Sequence, residues 1–320
     1  MERKCYLHIG TTKTGTSTIQ SSLHKNRSLL RNQGIQLLPN RLRKGNSDYT
    51  LALSQYRERN HLLFNKSLKM LGVFDAESKL NFDKNTEEIY SNFINKTKKN
   101  ILITDEQFFS RSFKDNDCIL RTVKFLKSHN LNCKIIVYLR SQESWILSDY
   151  IQNIKGGGTL SLDDYISKVL GKNSSYDLEK FINILESTNL ELIIRPYKRV
   201  RYKRWNVTND FYKCIAKSKI TKSNNFKKVK DKNVTNPSKK GIDDIIFFNK
   251  SYRSRLEDKL KSSKEMLRIM NNLSSQLLIY SAKDNPLEIS SKNLRLIRSR
   301  FEVGNNNLVS KYPILKSYLD

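Results

Sequence analysis

The stretch from Lys4 to Gln20, KCYLHIGTTKTGTSTIQ, limits what this chain can fold into more than any other feature of its sequence. Lys4 to Ile9 is apolar and β-prone, which predicts a strand. The next seven residues, Gly10 to Thr16, contain two glycines, one lysine and four threonines. Apolar residues then recur at roughly helical spacing until Gly34. This order predicts a strand, a tight loop and a helix in succession.

A loop of this composition between a strand and a helix is suited to binding an anion. Backbone N–H groups and the positive end of the helix dipole point into one hollow, and hydroxyls add further donors. Gly10 and Gly15 have the spacing of a Walker A loop, GxxxxGK[ST], but Thr16 stands in the lysine position and Lys13 lies inside the loop. The pattern therefore disfavours an ordinary ATP or GTP site. The alternative is a plain glycine- and threonine-rich turn with an exposed lysine.

A second pattern follows the most apolar run of the chain. Asn132 to Leu139 predicts a central parallel strand that is buried on both faces. Arg140 comes directly after it, and Ser148 follows eight residues later on a predicted helix. A guanidinium fork and a hydroxyl at this spacing could both reach one phosphate. The alternative is a helix-capping arginine with a solvated serine.

These two motifs resemble those of sulfotransferases that use 3′-phosphoadenosine 5′-phosphosulfate (PAPS), and most closely the bacterial members of that family. HIGTTKTGTSTIQ is similar to their 5′-phosphosulfate loop, and Y-L-R-x-x-x-x-W-x-x-S-x-Y is similar to their 3′-phosphate-binding segment. The resemblance implies a P-loop-like, three-layer α/β fold with a central parallel sheet, and PAPS as the co-substrate with no metal. The PAPS contacts that it implies in these two motifs are Lys13, Thr14, Gly15, Thr16, Ser17, Thr18, Arg140 and Ser148.

The general base is predicted after the next strand. Asn100 to Thr104 is a compact β run that leads into Asp105 and Glu106. Ligands of open parallel sheets bind beyond the carboxyl ends of the strands, so this carboxylate pair is well placed for chemistry. Sulfuryl transfer to a hydroxyl needs a base that takes the proton of the acceptor, and we assign that role to Glu106. Lys13 is the second predicted catalytic residue, which would neutralise charge on the leaving 5′-phosphate. Asp105 as the base, or either carboxylate as a helix cap, is the alternative.

Two further residues near predicted strands have an open role. His8, in the first strand, is a candidate phosphate ligand or base, or else a hydrogen-bonded core histidine. Leu190 to Ile194 predicts another strand, and the R-P-Y that follows it resembles a segment of the bacterial sulfotransferases. By that resemblance Tyr197 is expected to contact the cofactor by lining the adenine pocket. The alternative is that Tyr197 packs structurally.

The chain is expected to form one sulfotransferase domain over residues 1–320. Residues 40–99 are predicted to be a helical insertion that either faces the acceptor as a cap or packs on the sheet. Residues 221–320 are predicted to be mostly helical. Within them Lys239 to Gly241 resembles a 3′-phosphate-contacting segment, and Phe301 to Tyr312 resembles a closing segment with an Asn-bearing turn before a last short helix.

The composition of the chain indicates which binding partners and which cellular compartment to expect. The formal net charge of +28 predicts attraction to polyanions, unless the lysines only solvate the surface. No apolar run reaches the length of a membrane span, and no signal peptide is recognisable. The cysteines Cys5, Cys118, Cys133 and Cys214 form no CxxC pair, which suits reduced thiols in a cytoplasm. No pair among the four histidines has metal-ligand spacing.

The prediction is therefore a cytoplasmic bacterial sulfotransferase that acts on a carbohydrate or another small acceptor. Two rivals stay open. One is an atypical P-loop kinase, in which Thr16 and Asp105 could hold Mg²⁺. The other is a basic polyanion-binding protein without catalysis. No nucleic-acid partner is expected, because the chain has no aromatic-rich basic motif of a known binding module.

Overall fold

The structure is a computed structural model that describes residues 2–38, 49–56, 73, 75–113, 115–171, 174–198, 205–216, 220–229, 237–253, 272, 276 and 286–319. Much of the predicted insertion at 40–99 lies outside these ranges. So does most of the helix predicted between residues 243 and 279.

Five parallel strands form the central sheet. They are β1 Arg3–Gly10, β2 Ile35–Leu37, β3 Asn100–Thr104, β4 Leu131–Leu139 and β5 Glu191–Pro196. Their order across the sheet is β2-β3-β1-β4-β5, and all four pairings are parallel. The strands β1, β3, β4 and β5 coincide with runs that the sequence predicts to be strands. The predicted α/β fold with a P-loop-like, central parallel sheet is thereby confirmed.

Helices make up most of the rest of the described chain. They are α1 Thr16–Lys25, α2 Arg27–Asn32, α3 Tyr49–Gln55, α4 Ala76–Lys96, α5 Gln107–Ser112, α6 Asp117–Lys127, α7 Gln142–Lys155, α8 Leu162–Val169, α9 Leu178–Glu186, α10 Val207–Ala216, α11 Lys239–Phe248, α12 Ser291–Lys311 and α13 Lys316–Leu319. A π-helical turn, Asn249–Arg253, follows α11, and a 3₁₀ turn, Pro313–Leu315, precedes α13. None of the helices in the described ranges is long and apolar enough to cross a membrane.

The chain divides into two compact units. The first consists of Met1–Arg140, Asp177–Lys232 and Gly304–Asp320, and it contains the whole sheet. The second consists of Ser141–Tyr176 and Asn233–Val303. A single sulfotransferase domain over the full length remains a prediction.

The first unit has its core on and around β1 and β4. The side chains from Ile135 to Leu139 are fully buried, because helices cover both faces of a central parallel strand. One ionic network ties α10 to the sheet. The Tyr138 hydroxyl donates to Asp210 Oδ2 at 2.8 Å, and Arg195 Nε donates to the same oxygen at 2.9 Å. Arg195 is thus a structural anchor.

The described part of the insertion packs on neighbouring helices. Arg121 of α6 donates from Nε and Nη2 to the Gln55 carbonyl at the end of α3, at 2.9 and 2.7 Å. The Gln55 side chain donates to Glu87 of α4 at 2.8 Å. These contacts join α3 to other helices. Both the role of the insertion as an acceptor-facing cap and its packing on the sheet stay predictions.

The second unit is built around α7 and α11. Tyr150, Ile154, Ile242 and Ile245 form its buried cluster. The Asn249 amide donates to the carbonyls of Ile154 and Gly158 at 2.9 and 2.8 Å. The glycine loop that follows α7 is therefore held at both ends.

One prediction for the C-terminal part is wrong. An Asn-bearing turn was expected between Phe301 and Tyr312, but α12 continues through the asparagines to Lys311. Phe301 and Leu308 are buried at a spacing of two helical turns, and Asn307 donates to Glu179 at 2.7 Å. These contacts outweigh the weak helix propensity of asparagine. The last short helix, α13, is present as predicted.

Candidate functional site

The loop predicted to bind an anion lies at the carboxyl end of the central strand. β1 ends at Gly10 and α1 begins at Thr16. Gly15, directly before the helix, has φ 82°, and Lys13 has φ 66°. A residue other than glycine is uncommon in this region and persists where the surroundings impose it. The tertiary structure therefore holds the backbone of Lys13 in an unfavourable conformation at the predicted site.

Two buried threonines hold the loop in shape. Thr11 Oγ1 donates to the Tyr138 carbonyl of β4 at 2.9 Å, and Thr14 Oγ1 donates to the Thr11 carbonyl at 2.6 Å. The backbone N–H of Thr18 donates to the Gly15 carbonyl at 3.0 Å. The hydroxyl of Thr14 and the N–H of Thr18 are thus engaged inside the loop and helix. Cofactor contacts of these two residues stay predictions, and they would have to come from the backbone N–H of Thr14 and the hydroxyl of Thr18.

Thr16 differs from these neighbours. Its side chain is buried, and its Oγ1 has no hydrogen-bond partner among the described residues. A Cβ atom on residue 10 would lie 2.5 Å from this oxygen, so Gly10 is the residue that lets the strand end approach it. A buried hydroxyl without a partner costs about 1–3 kcal/mol. A ligand oxygen at this point would satisfy the hydroxyl. Ser17, the next residue, is exposed.

Arg140 joins the second motif to the loop. Its Nη1 donates to the Lys13 carbonyl at 2.9 Å, and its guanidinium carbon lies 5.6 Å from the centre of the Tyr197 ring. The Tyr197 ring also lies against Gly15, where an added Cβ atom would be 3.1 Å from it. The structure therefore brings together Lys13, Gly15, Arg140 and Tyr197, which the sequence analysis had singled out in three separate segments.

Tyr197 is a packed residue in the described chain. It is 4% exposed, its ring meets that of Trp205 at 5.3 Å between ring centres, and its N–H donates to the Leu139 carbonyl at 2.7 Å. This is the packing role that the sequence left as the alternative. A contact between Tyr197 and an adenine ring stays a prediction.

The structure separates the roles of the two carboxylates after β3. Asp105 is fully buried, and its Oδ1 accepts from the N–H of Gln107 at 2.8 Å in the first turn of α5. Its own N–H donates to the His8 carbonyl at 3.0 Å, beside the central strand. Glu106 is only half-buried. Asp105 therefore holds the start of α5 through its side chain, and Glu106 is the more accessible carboxylate at this edge of the sheet.

His8 is a core residue. Its Nδ1 lies 2.8 Å from Thr104 Oγ1, and its ring packs against those of Phe211 and Tyr138, with 4.9 and 6.0 Å between ring centres. Burial lowers the pKa of the imidazole to about 3. The ring is therefore neutral at ordinary pH and completely enclosed, which is the core alternative that the sequence left open.

The remaining predicted contacts lie in the second unit. Ser148 is a half-buried residue on α7. Lys239 to Gly241 forms the first turn of α11, where the Ser238 hydroxyl accepts from the N–H of Gly241 at 3.0 Å. Phosphate binding by Ser148 together with Arg140 stays a prediction.

Sequence reasoning missed two residues that shape this site. Thr11 closes the loop against β4, and Tyr318 in α13 donates a hydrogen bond from its hydroxyl to the Tyr197 carbonyl. The abundance of threonine in the loop was a signal for Thr11. No local pattern indicates Tyr318, because its partner is 121 residues away in the chain.

Among the residues that the structure describes, no group of three or more His, Cys, Asp and Glu side chains is placed to hold a metal ion.

No family model and no curated protein matches this chain. Among solved structures, one from the PezAT chromosomal toxin-antitoxin system of the human pathogen Streptococcus pneumoniae is similar over 87% of each chain, with 12% sequence identity and a TM-score of 0.32. A similarity this low indicates no function for the chain, and the description of the fold rests on the sheet itself.

Proposed function

We propose that this protein is a sulfotransferase that moves a sulfuryl group from PAPS to a hydroxyl or amine of a carbohydrate or another small acceptor. The observation that carries the proposal is the loop between β1 and α1. The loop contains Lys13 and the buried hydroxyl of Thr16, which has no hydrogen-bond partner among the described residues. Arg140, directly after the neighbouring strand β4, donates a hydrogen bond to the loop backbone. Such a cradle suits a strongly acidic group that carries more than one negative charge.

Each residue has a role in this proposal. Lys13 neutralises the charge that develops on the 5′-phosphate as it leaves. Thr16 Oγ1 and the first N–H groups of α1 donate to the phosphate and sulfonate oxygens. Arg140 binds the 3′-phosphate with the help of Ser148. This is electrostatic stabilisation by donors that are in place before the reaction.

The transfer step is a displacement at sulfur. The acceptor oxygen or nitrogen forms a bond to sulfur, and the bond between sulfur and the 5′-phosphate oxygen breaks. Glu106 takes the proton of the acceptor, and the electron pair of the broken bond stays on the phosphate. The half-buried Glu106 carboxylate follows β3, the strand that pairs with β1, so it stands at the same edge of the sheet as the loop.

One observation supports a sulfotransferase over an atypical kinase. Thr16 occupies the position of the Walker lysine, and its side chain is buried in the loop. A protein that only binds polyanions through its basic surface does not require a preformed loop of this kind.

The first test is a thermal-shift titration of the purified protein with 3′,5′-adenosine bisphosphate, and with ADP with and without Mg²⁺. A ligand at one hundred times its dissociation constant adds about 2.7 kcal/mol to the free energy of unfolding. We expect this stabilisation from the bisphosphate without Mg²⁺. Arg140→Ala should abolish it. The control Arg27→Ala, an exposed arginine on α2, should keep it.

The same titration separates the rivals. Stabilisation by Mg²⁺ with ADP alone would favour the kinase and contradict the sulfotransferase proposal. Stabilisation by neither nucleotide would contradict both enzymatic proposals, and steeply salt-dependent binding of a polyanion that is unaffected by Arg140→Ala would then favour the binding protein.

A further inference from the structure

The C-terminal segment Pro313–Leu319 lies against the end of β5. Leu315 and Tyr318 are buried, with 0% and 1% of their surface exposed. The Tyr318 hydroxyl donates to the carbonyl of Tyr197, the residue directly after β5. A buried hydroxyl that satisfies a buried carbonyl fixes both groups, because either one left alone would be costly. The segment therefore fixes the backbone at Tyr197.

Tyr197 connects the C-terminal segment to the loop, because it contacts both. Its N–H is bonded to the Leu139 carbonyl at 2.7 Å, so the peptide groups on both sides of the residue are held. With its backbone held, the ring stays against Gly15, 3.1 Å from where a Cβ atom would be, and 5.6 Å from the Arg140 guanidinium carbon. Arg140 in turn donates to the Lys13 carbonyl at 2.9 Å. Each contact in this series joins residues of the first unit.

We propose that Tyr318 is a positioning residue for the anion-binding loop and that it acts through the ring of Tyr197. Its hydroxyl donates to the backbone of Tyr197 and not to the ring itself. It sets the position of the ring that closes one side of Gly15 and supports Arg140. The identity of PAPS as the ligand rests on the proposed function, whereas the positioning itself requires only that the loop binds an anion.

The residue directly before this segment, Tyr312, provides a matched control. The Tyr312 hydroxyl donates to Glu186 Oε1 of α9, and Lys311 forms an ion pair with the same carboxylate. Tyr312 and Tyr318 are therefore two tyrosines six positions apart whose hydroxyls each donate a long-range hydrogen bond. Only the bond of Tyr318 goes to Tyr197.

The test compares Tyr318→Phe with Tyr312→Phe by titration calorimetry, at a temperature where thermal unfolding shows both variants to be folded. The probes are 3′,5′-adenosine bisphosphate and inorganic pyrophosphate. For Tyr318→Phe we expect the dissociation constant to rise about fivefold, as loss of one net hydrogen bond would give. For Tyr312→Phe we expect less than a twofold change, even if both variants lose similar thermal stability.

A double-mutant cycle with Tyr197→Leu tests the route of the effect. This variant removes the ring but keeps the backbone carbonyl that accepts from Tyr318. It should weaken anion binding by itself, and Tyr318→Phe should then weaken binding no further. Additive losses would show that Tyr318 acts by another route. Tyr197→Leu by itself tests the role of the ring if Tyr318→Phe is poorly stable.

The outcomes separate this inference from the proposed function. If the wild-type protein binds pyrophosphate but not the adenosine bisphosphate, the proposed function fails and the pyrophosphate titrations decide the role of Tyr318. If the two Tyr→Phe variants bind anions equally well, or lose affinity equally, the positioning role is overturned. If the wild-type protein binds neither probe, both proposals fall.

Discussion

The guanidinium of Arg140 donates a hydrogen bond of 2.9 Å to the carbonyl oxygen of Lys13, which lies 127 positions earlier in the chain. This bond fixes the loop backbone at a residue with φ 66°. It engages the backbone of Lys13 and not its ammonium group. The loop is therefore anchored independently of the lysine side chain, and a substitution of that side chain reports on its charge.

Replacing Lys13 by methionine keeps the aliphatic stem and removes the charge. We expect kcat to fall about 10²–10³-fold, the cost of losing one donor aimed at charge that develops in the transition state. The KM for PAPS should rise much less. Steady-state kinetics of Lys13→Met measure both, with Lys25→Met at the exposed end of α1 as the control. If KM rises and kcat stays unchanged, so that the rise in KM accounts for the whole fall in kcat/KM, a role of Lys13 in the transition state is contradicted.

Two threonines of the loop should respond in opposite ways to the same substitution. Thr16→Val removes a buried hydroxyl without a partner, so the ligand-free protein should gain about 1 kcal/mol of stability while its affinity for 3′,5′-adenosine bisphosphate falls. Thr14→Val removes the donor to the Thr11 carbonyl and should cost about 1–2 kcal/mol. Urea unfolding and calorimetric titration give the two quantities. A Thr16→Val protein that is less stable and binds unchanged would show that the hydroxyl has no ligand to satisfy.

The carboxylates after β3 should separate into one catalytic and one structural residue. Glu106→Gln should lower kcat about 10²–10⁴-fold, as expected for loss of a general base. Its free energy of unfolding should stay within about 0.5 kcal/mol of wild type. Asp105→Ala removes the acceptor of the Gln107 N–H at the start of α5 and should cost about 1 kcal/mol of stability. Glu88→Gln, an exposed glutamate of α4, is the control. If Glu106→Gln is fully active while Asp105→Asn folds and is inactive, Asp105 is the base.

Burial of His8 predicts that stability depends on pH. Its pKa falls from 6.5 to about 3 in the folded protein, so below about pH 6.5 the unfolded chain binds a proton that the folded chain does not. Stability is therefore lost as the pH drops from about 6.5 towards about 3. Between pH 7 and pH 5 the loss due to this one group should be about 2 kcal/mol.

Chemical unfolding of wild type and His8→Gln at a series of pH values measures this effect. The difference between the two proteins isolates His8, because the other titrating groups contribute to both. The substitution is expected to flatten the pH dependence even if it lowers the stability at neutral pH. His24→Gln, a half-buried position on α1, serves as the control. The same slope in wild type and His8→Gln would contradict a neutral, buried imidazole.

Local patterns in the sequence were sufficient for most of the strands and for the position of the loop between β1 and α1. Strand propensity and turn formation depend on a few neighbouring residues. The apolar runs of β1, β3 and β4 and the glycines at positions 10 and 15 can therefore be interpreted from the sequence alone. The same local reasoning failed at Asn305 to Asn307. Burial of Phe301 and Leu308 on one face keeps this segment helical, and burial is a tertiary property.

The division of labour within the site was decided only by the tertiary structure. Eight threonines and serines of the loop and α1 look alike in sequence, but only the packed loop shows that the Thr14 hydroxyl is engaged and the Thr16 hydroxyl is not. The bonds from Arg140 to Lys13 and from Tyr318 to Tyr197 join residues more than one hundred positions apart. They exist because the strand order places β4 beside β1 and β5 beside β4. Strand order is set by the burial of whole elements against one another, which no short stretch of sequence specifies.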